Sequence, residues 1–151
     1  MDKMTQLPPK DPELDALIGY QLQMARLRLM DAAYAVLAPY GISPARVTAL
    51  ALIRAQPGLD QSALGRALSI NRASAMKLVN LLVERGLVER RAGRNLRSHA
   101  LHLTGEGETR LPEMIARLRD SEAPLLADLS STDRATLLQL LQRIHDPLSC
   151  D

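Results

Sequence analysis

The 151-residue chain has almost no aromatic side chains: three Tyr, no Phe and no Trp. Sheet-rich cores lean on aromatic and β-branched residues. Here Leu, Ala, Val, Ile and Met must fill the interior, a composition that favours helices. The lone cysteine, Cys150, excludes an internal disulfide framework and a thiolate metal cage. The candidate apolar run VTALALI (47–53) is far too short to span a bilayer. The opening MDKMTQLPPKDPELD lacks the apolar stretch of a signal peptide, so a cytoplasmic location and no membrane partner are expected. Catalytic signatures are missing as well. There is no G-x-S-x-G elbow, and GEGETR (105–110) lacks the third glycine and the preceding strand of a dinucleotide loop. His99 and His102 fall on opposite faces of a predicted strand and His145 is remote, so no metal site is expected. No cofactor and no enzymatic activity are expected either.

What is abundant is positive charge in one place. Residues 66–97 hold eight cations (Arg66, Arg72, Lys77, Arg85, Arg90, Arg91, Arg94 and Arg97) against Glu84 and Glu89. That segment carries net +6, so the overall +2 leaves −4 for the remainder. A basic segment on a mildly acidic body points to a polyanionic partner.

Residues 1–12 read as a polar, Pro-rich, flexible arm. A long helix is expected from about Glu13 to Leu37. Its two apolar stripes (Tyr20, Met24, Leu27, Tyr34, Leu37 and Leu22, Leu29, Ala33, Val36) form a face wider than one neighbour requires. Gly41 stops it, and Ser43-Pro44 starts the next helix as N-cap and first helical residue. That helix runs to about Ala55. Asp60 caps a short helix that turns Leu64, Ala67 and Leu68 inward. Asn71 caps another, which runs to Arg85 and stops at Gly86. LVERR and RSHALHL then read as two strands around the AGRN turn. Thr104 caps a long helix to about Asp128, kinked by Pro112 and Pro124. A last amphipathic helix covers about Thr132 to Ile144.

The helix from 72 to 85 has two distinct faces. Ala75, Leu78, Val79 and Leu82 share one, while Ala73, Lys77, Asn80 and Glu84 fall opposite, flanked by Ser74 and Met76. An outward face that is small at its leading end, with an amide and a cation beyond, suits entry into the DNA major groove. Arg90, Arg91, Arg94 and Arg97, with Asn95 among them, cluster on the hairpin that follows. Arginine's fixed charge and forked donors suit phosphates and a narrow minor groove. The expected DNA contacts are Asn71, Arg72, Ala73, Ser74, Lys77, Asn80, Arg91, Arg94, Asn95 and Arg97.

The stretch ALGRALSINRASAMKLVNLLVERGLVERR…NLRSHALHLTGEG resembles the MarR family of bacterial transcription regulators, and the resemblance extends over about residues 14–145. Leu82, Gly86, Leu87, Val88 and Arg90 match the family's L-x-x-x-G-L-V-x-R stretch. Leu103, Thr104 and Gly107 match the L-T-x-x-G that closes its wing. Asn95 stands where the family has a wing Asp and Leu96 where a second Arg is common, while Arg97 keeps the final Arg place. The resemblance implies a mainly α winged helix-turn-helix at 41–104 with a small β-hairpin wing. It also implies N- and C-terminal dimerisation helices at 13–40 and 105–146, and a homodimer reading a pseudo-palindromic operator, most simply as a repressor. A small anionic or aromatic effector, such as an aromatic carboxylate or its acyl-CoA thioester from aromatic catabolism, would sit between the dimerisation helices and the winged helix. Candidate lining residues are Tyr20, Met24, Arg26, Arg28, Met30, Tyr34, Tyr40 and His99. The residues by themselves also allow a dimeric helical protein-interaction module or a sequence-indifferent architectural DNA binder.

Overall fold

A computed structural model describes residues 11–93 and 99–145. Seven α-helices, one 3-10 turn and three short strands follow in the order α1 (Pro12–Asp15), α2 (Ile18–Leu37), the 3-10 turn (Ala38–Tyr40), α3 (Pro44–Ala55), β1 (Leu59–Asp60), α4 (Gln61–Ala67), α5 (Arg72–Glu84), β2 (Val88–Ala92), β3 (His99–Leu103), α6 (Gly105–Glu122) and α7 (Ser131–His145). The sheet is antiparallel in the order β1-β3-β2, with Val88 opposite Leu103 and Ala92 opposite His99. This is a mainly helical winged helix-turn-helix, as the sequence predicts.

Local capping chemistry sets most boundaries. The side-chain oxygens of Asp60, Asn71 and Thr104 accept from the N–H groups of Ala63, Ser74 and Gly107 at 2.7, 2.8 and 3.0 Å. Each fills one orphan donor of a first turn. At the end of α5 the Gly86 N–H donates to Val83 and the Leu87 N–H to Leu82. Gly86 takes φ +69°, as this two-bond helix stop requires. Ser43 precedes α3 as expected, but its side chain makes no capping bond; its backbone carbonyl accepts from Arg46 and Val47 instead.

Four expectations change. The helix expected from Glu13 breaks at Ala16–Leu17, where Leu17 is extended. Leu14, Leu17 and Ile18 are all exposed, so no burial holds that first turn in line. The helix from Thr104 ends at Glu122 rather than Asp128, because Pro124 lacks the N–H that would continue the ladder. Pro112 is accommodated inside α6. Ala67 is exposed and Gly65 takes the buried place on α4. Finally, β1 is a third strand that no sequence pattern announced.

The core is wholly aliphatic. Leu37, Leu50, Ile53, Leu64, Val79, Leu82, Val88, Leu101, Leu111 and Met114 are fully buried. The C-terminal end of α2 and the first half of α6 join α3, α4, α5 and the sheet in this one cluster. The rest of α2 and all of α7 lie outside it, and α7 buries no residue. Among the described residues no single helix is long and apolar enough to cross a membrane.

Candidate nucleic-acid interface

The approach of α4 to α5 rests on two small residues. A Cβ on Gly65 would lie 3.2 Å from that of Ala75, so a larger residue at either place would push the helices apart. The turn between them closes with Ser69 N–H to Arg66 and Ile70 N–H to Gly65, both 3.0 Å. It places Ser69 at φ +53°, the one non-glycine in the left-handed region among the described residues. Ala75, Leu78, Val79 and Leu82 anchor α5 and are buried. Arg72, Ala73, Ser74, Met76, Lys77 and Asn80 are exposed. The spacing therefore sorts the helix as expected, and its small leading end stands clear of the body. Asn71 uses its side-chain oxygen on the Ser74 N–H, leaving its amide donors free of that task.

Alternation along β2 divides the charges that follow. Val88 points into the core, so Arg90, two residues on, shares its face and leans over α5. Its Nη2 donates to Asn80 Oδ1 at 2.5 Å. Glu89 and Arg91 share the other face, where Arg91 Nε donates to Glu89 Oε1 at 2.7 Å and Nη2 lies 2.6 Å from the same oxygen. Both side chains are about half exposed, so the pair is weak, but it answers part of the Arg91 charge. Arg90 was absent from the expected DNA contacts; alternation from Val88 is the signal that locates it. Arg94, Asn95 and Arg97 lie outside the described residues, as does Cys150.

The end of α5 is tied to the short 3-10 turn, Ala38–Tyr40, that follows α2. The Arg85 guanidinium lies over Gly41, where a Cβ would collide with it, and Nη1 donates to the Tyr40 carbonyl at 3.4 Å.

The eight candidate effector residues do not converge. Met24 and Arg28 line a groove of about 330 Å³ with Gln21, Leu29, Leu125 and Leu126. Tyr40 lines another of about 450 Å³ with Val36, Pro39, Arg110 and Arg117. His99 is exposed and lines a third, of about 660 Å³, between the hairpin and the α3–β1 turn. It therefore lies apart from the Met24 groove. Tyr20 and Met30 are half-buried on α2, while Arg26 and Tyr34 are exposed. Leu125, Leu126, Arg110 and Arg117 come from α6 and the turn after it. Nothing in the local pattern of α2 could have paired them with it. The hydrogen bond from Arg110 Nε to Glu106 (2.6 Å), and then the carboxylate's charge, raise the guanidinium pKa above its ordinary value.

Known proteins share the sequence pattern and the fold. A sequence model of the MarR family matches residues 40–98. A Thauera aromatica protein named for transcriptional regulation of the hcr operon is 35% identical over 106 residues, 70% of this chain and 64% of that protein. The matched part thus spans under two thirds of that relative. The repressor CouR bound to a 23-mer DNA duplex is 33% identical with a TM-score of 0.79, over 89% of this chain and 96% of that one. CouR bound to p-coumaroyl-CoA is 31% identical with a TM-score of 0.76, over 90% and 96%. A MarR-family regulator from Rhodococcus sp. RHA1 shares the fold at 24% identity, with a TM-score of 0.82 over 91% and 97%.

Proposed function

Because the chain belongs to the MarR family, we propose that it is a homodimeric transcriptional repressor whose affinity for a pseudo-palindromic operator is modulated by a small anionic, aromatic effector. The observation that carries this reading is the outward face of α5. Arg72, Ala73, Ser74, Lys77 and Asn80 stand exposed there beside the basic strand β2. Ala73 and Ser74 let the helix seat deeply in the major groove. Lys77 and Asn80 reach base edges or phosphate, Arg72 and Arg91 meet the backbone, and the helix N-terminus favours phosphate. Arg94, Asn95 and Arg97 follow in the sequence as further wing contacts.

Dimerisation is supported by apolar side chains left in water. Ile18, Leu27 and Tyr34 on α2 and Leu137, Leu138, Leu140 and Ile144 on α7 are exposed, Leu138 to 58% and Ile144 to 62%. Patches of this kind mark association surfaces. A twofold dimer carries two α5 helices about one turn of DNA, roughly 10 bp, apart.

The effector reading draws on two supports. One is the likeness to a repressor bound to p-coumaroyl-CoA. The other is the Met24–Arg28 groove, where apolar walls for a ring meet one cation for a carboxylate or phosphate. Through Arg85, which joins the end of α5 to the turn that follows α2, a change at α2 reaches the spacing of the reading helices. The ligand shifts DNA affinity by as much as its own affinity differs between the two arrangements.

The test is selection of genomic fragments by the purified protein at physiological salt, followed by sequencing. The expected result is one enriched pseudo-palindromic site, bound less tightly by Lys77→Ala and with affinity falling steeply as salt rises. Retention of fragments without a shared site would replace this reading with an architectural binder. No retention, with or without candidate aromatic acids and thioesters, would replace it with a protein-interaction module.

A further inference from the structure

Arg90 leaves β2 on the same face as Val88, two residues earlier, which is buried in the cluster that holds Leu78, Val79 and Leu82 of α5. Its guanidinium donates to the Asn80 side-chain oxygen at 2.5 Å, whereas Glu89, its neighbour in sequence, is engaged by Arg91 on the opposite face. Asn80 is exposed on the outward face of α5, one turn beyond Lys77. An asparagine side chain ordinarily offers both an acceptor and two donors, and it reads adenine by using both at once: its oxygen accepts from N6–H and its nitrogen donates to N7.

Resting on the DNA-reading function proposed above, we propose that Arg90 biases Asn80 towards reading as a donor, so that each half-site carries guanine rather than adenine where Asn80 meets it. The charge-assisted bond from Arg90 takes one of the two lone pairs of Oδ1 and sets a fixed cation beside the other. A donor approaching that oxygen, as adenine N6–H must, meets the guanidinium. The amide N–H groups stay free. Guanine presents two acceptors, O6 and N7, on its major-groove edge; thymine presents one; cytosine presents only a donor. The expected preference is therefore guanine first and cytosine last. Arg90 acts here as a positioning residue, since it works by deciding which half of the Asn80 amide faces the groove.

The experiment is selection from a randomised duplex library with the full chain, repeated with Asn80→Ala and Arg90→Ala. Both residues are exposed, and thermal melts confirm that the variants fold. The parent is expected to enrich guanine at one symmetry-related position of each half-site. Asn80→Ala loses the preference at that position alone. Arg90→Ala lets adenine rise against guanine there by on the order of tenfold, with other positions unchanged. An unchanged guanine preference in Arg90→Ala overturns the proposal. So does a uniform loss of affinity across all sequences with the salt slope reduced by about one, the mark of a phosphate contact. Failure of the parent to select any site is a different result, because it removes the regulator reading and this inference with it.

Discussion

Replacing Gly107 by alanine sets two effects of opposite sign against each other. Gly107 is the third residue of α6, and its N–H is capped by the Thr104 hydroxyl at 3.0 Å. The same hydroxyl donates to the Gly86 carbonyl at 2.5 Å, and the Thr104 N–H donates to Leu87 O at 3.1 Å. The start of α6 is thereby pinned to the end of α5. A Cβ on Gly107 would overlap the Leu87 carbonyl oxygen and lie 3.1 Å from its carbon. These are backbone atoms, with no rotamer to swing away. Alanine in an ordinary helix position gains about 1 kcal/mol over glycine. Overpacking costs about 1–3 kcal/mol, and stretching the cap to relieve it costs a further ~1 kcal/mol. Gly107→Ala should therefore lose about 1–3 kcal/mol net, a fall in Tm of roughly 2–12 °C for a chain of this size. Gly105, two residues earlier, has nothing within 4 Å of its would-be Cβ. Gly105→Ala should leave Tm unchanged or raise it by up to about 4 °C. The assay is thermal unfolding of both variants at one protomer concentration, since the Tm of the proposed dimer depends on it. A Gly107→Ala variant as stable as the parent would refute the close approach of α6 to Leu87.

Further outcomes follow from particular contacts. Asn71→Ala removes the cap of α5 and should cost about 1 kcal/mol in chemical denaturation, with Asn71→Asp restoring it. Leu138→Glu places a charge on the apolar face of the proposed dimer surface and should shift that dimer to monomer in sedimentation, with the winged helix still folded by circular dichroism. The Asp133 carboxyl is held below its ordinary value by the Ser130 hydroxyl and then by the Ser130 N–H. A depressed folded-state pKa means this group's contribution is present above the unfolded value of about 4 and is lost as pH falls through the folded one. The stability difference between parent and Asp133→Asn should accordingly be present at neutral pH and fade in acid. An equal difference at both ends of that range would count against the Ser130 bonds.

Much of the architecture was legible because it is written locally. Asp60, Asn71 and Thr104 cap their helices with bonds that span three residues, and Gly86 stops α5 through its own φ. Such signals need no knowledge of the rest of the chain. The two faces of α5 were equally legible, since 3.6-residue periodicity alone puts Ala75, Leu78, Val79 and Leu82 together. The same local reading overran where the evidence for an end was not in the pattern. The long helix was expected from about Glu13, but nothing buries Leu14 and Leu17, and that first turn breaks away.

What only the tertiary structure decided are the pairings between distant segments. Leu59 and Asp60 become a strand because β3 offers them a free edge, not because two residues have any strand pattern of their own. Gly107 must be glycine because Leu87, twenty positions earlier, delivers a carbonyl to it. The groove beside Met24 and Arg28 takes its other wall from Leu125 and Leu126, about a hundred residues away. The sequence alone showed a cluster of arginines but not their partners. The strand's period of two sends Arg90 to Asn80 and Arg91 to Glu89 once β2 is docked with Val88 inward. Caps and stripes depend on neighbours fixed by the chain itself. The destination of an exposed charge depends on which surface folding brings within reach.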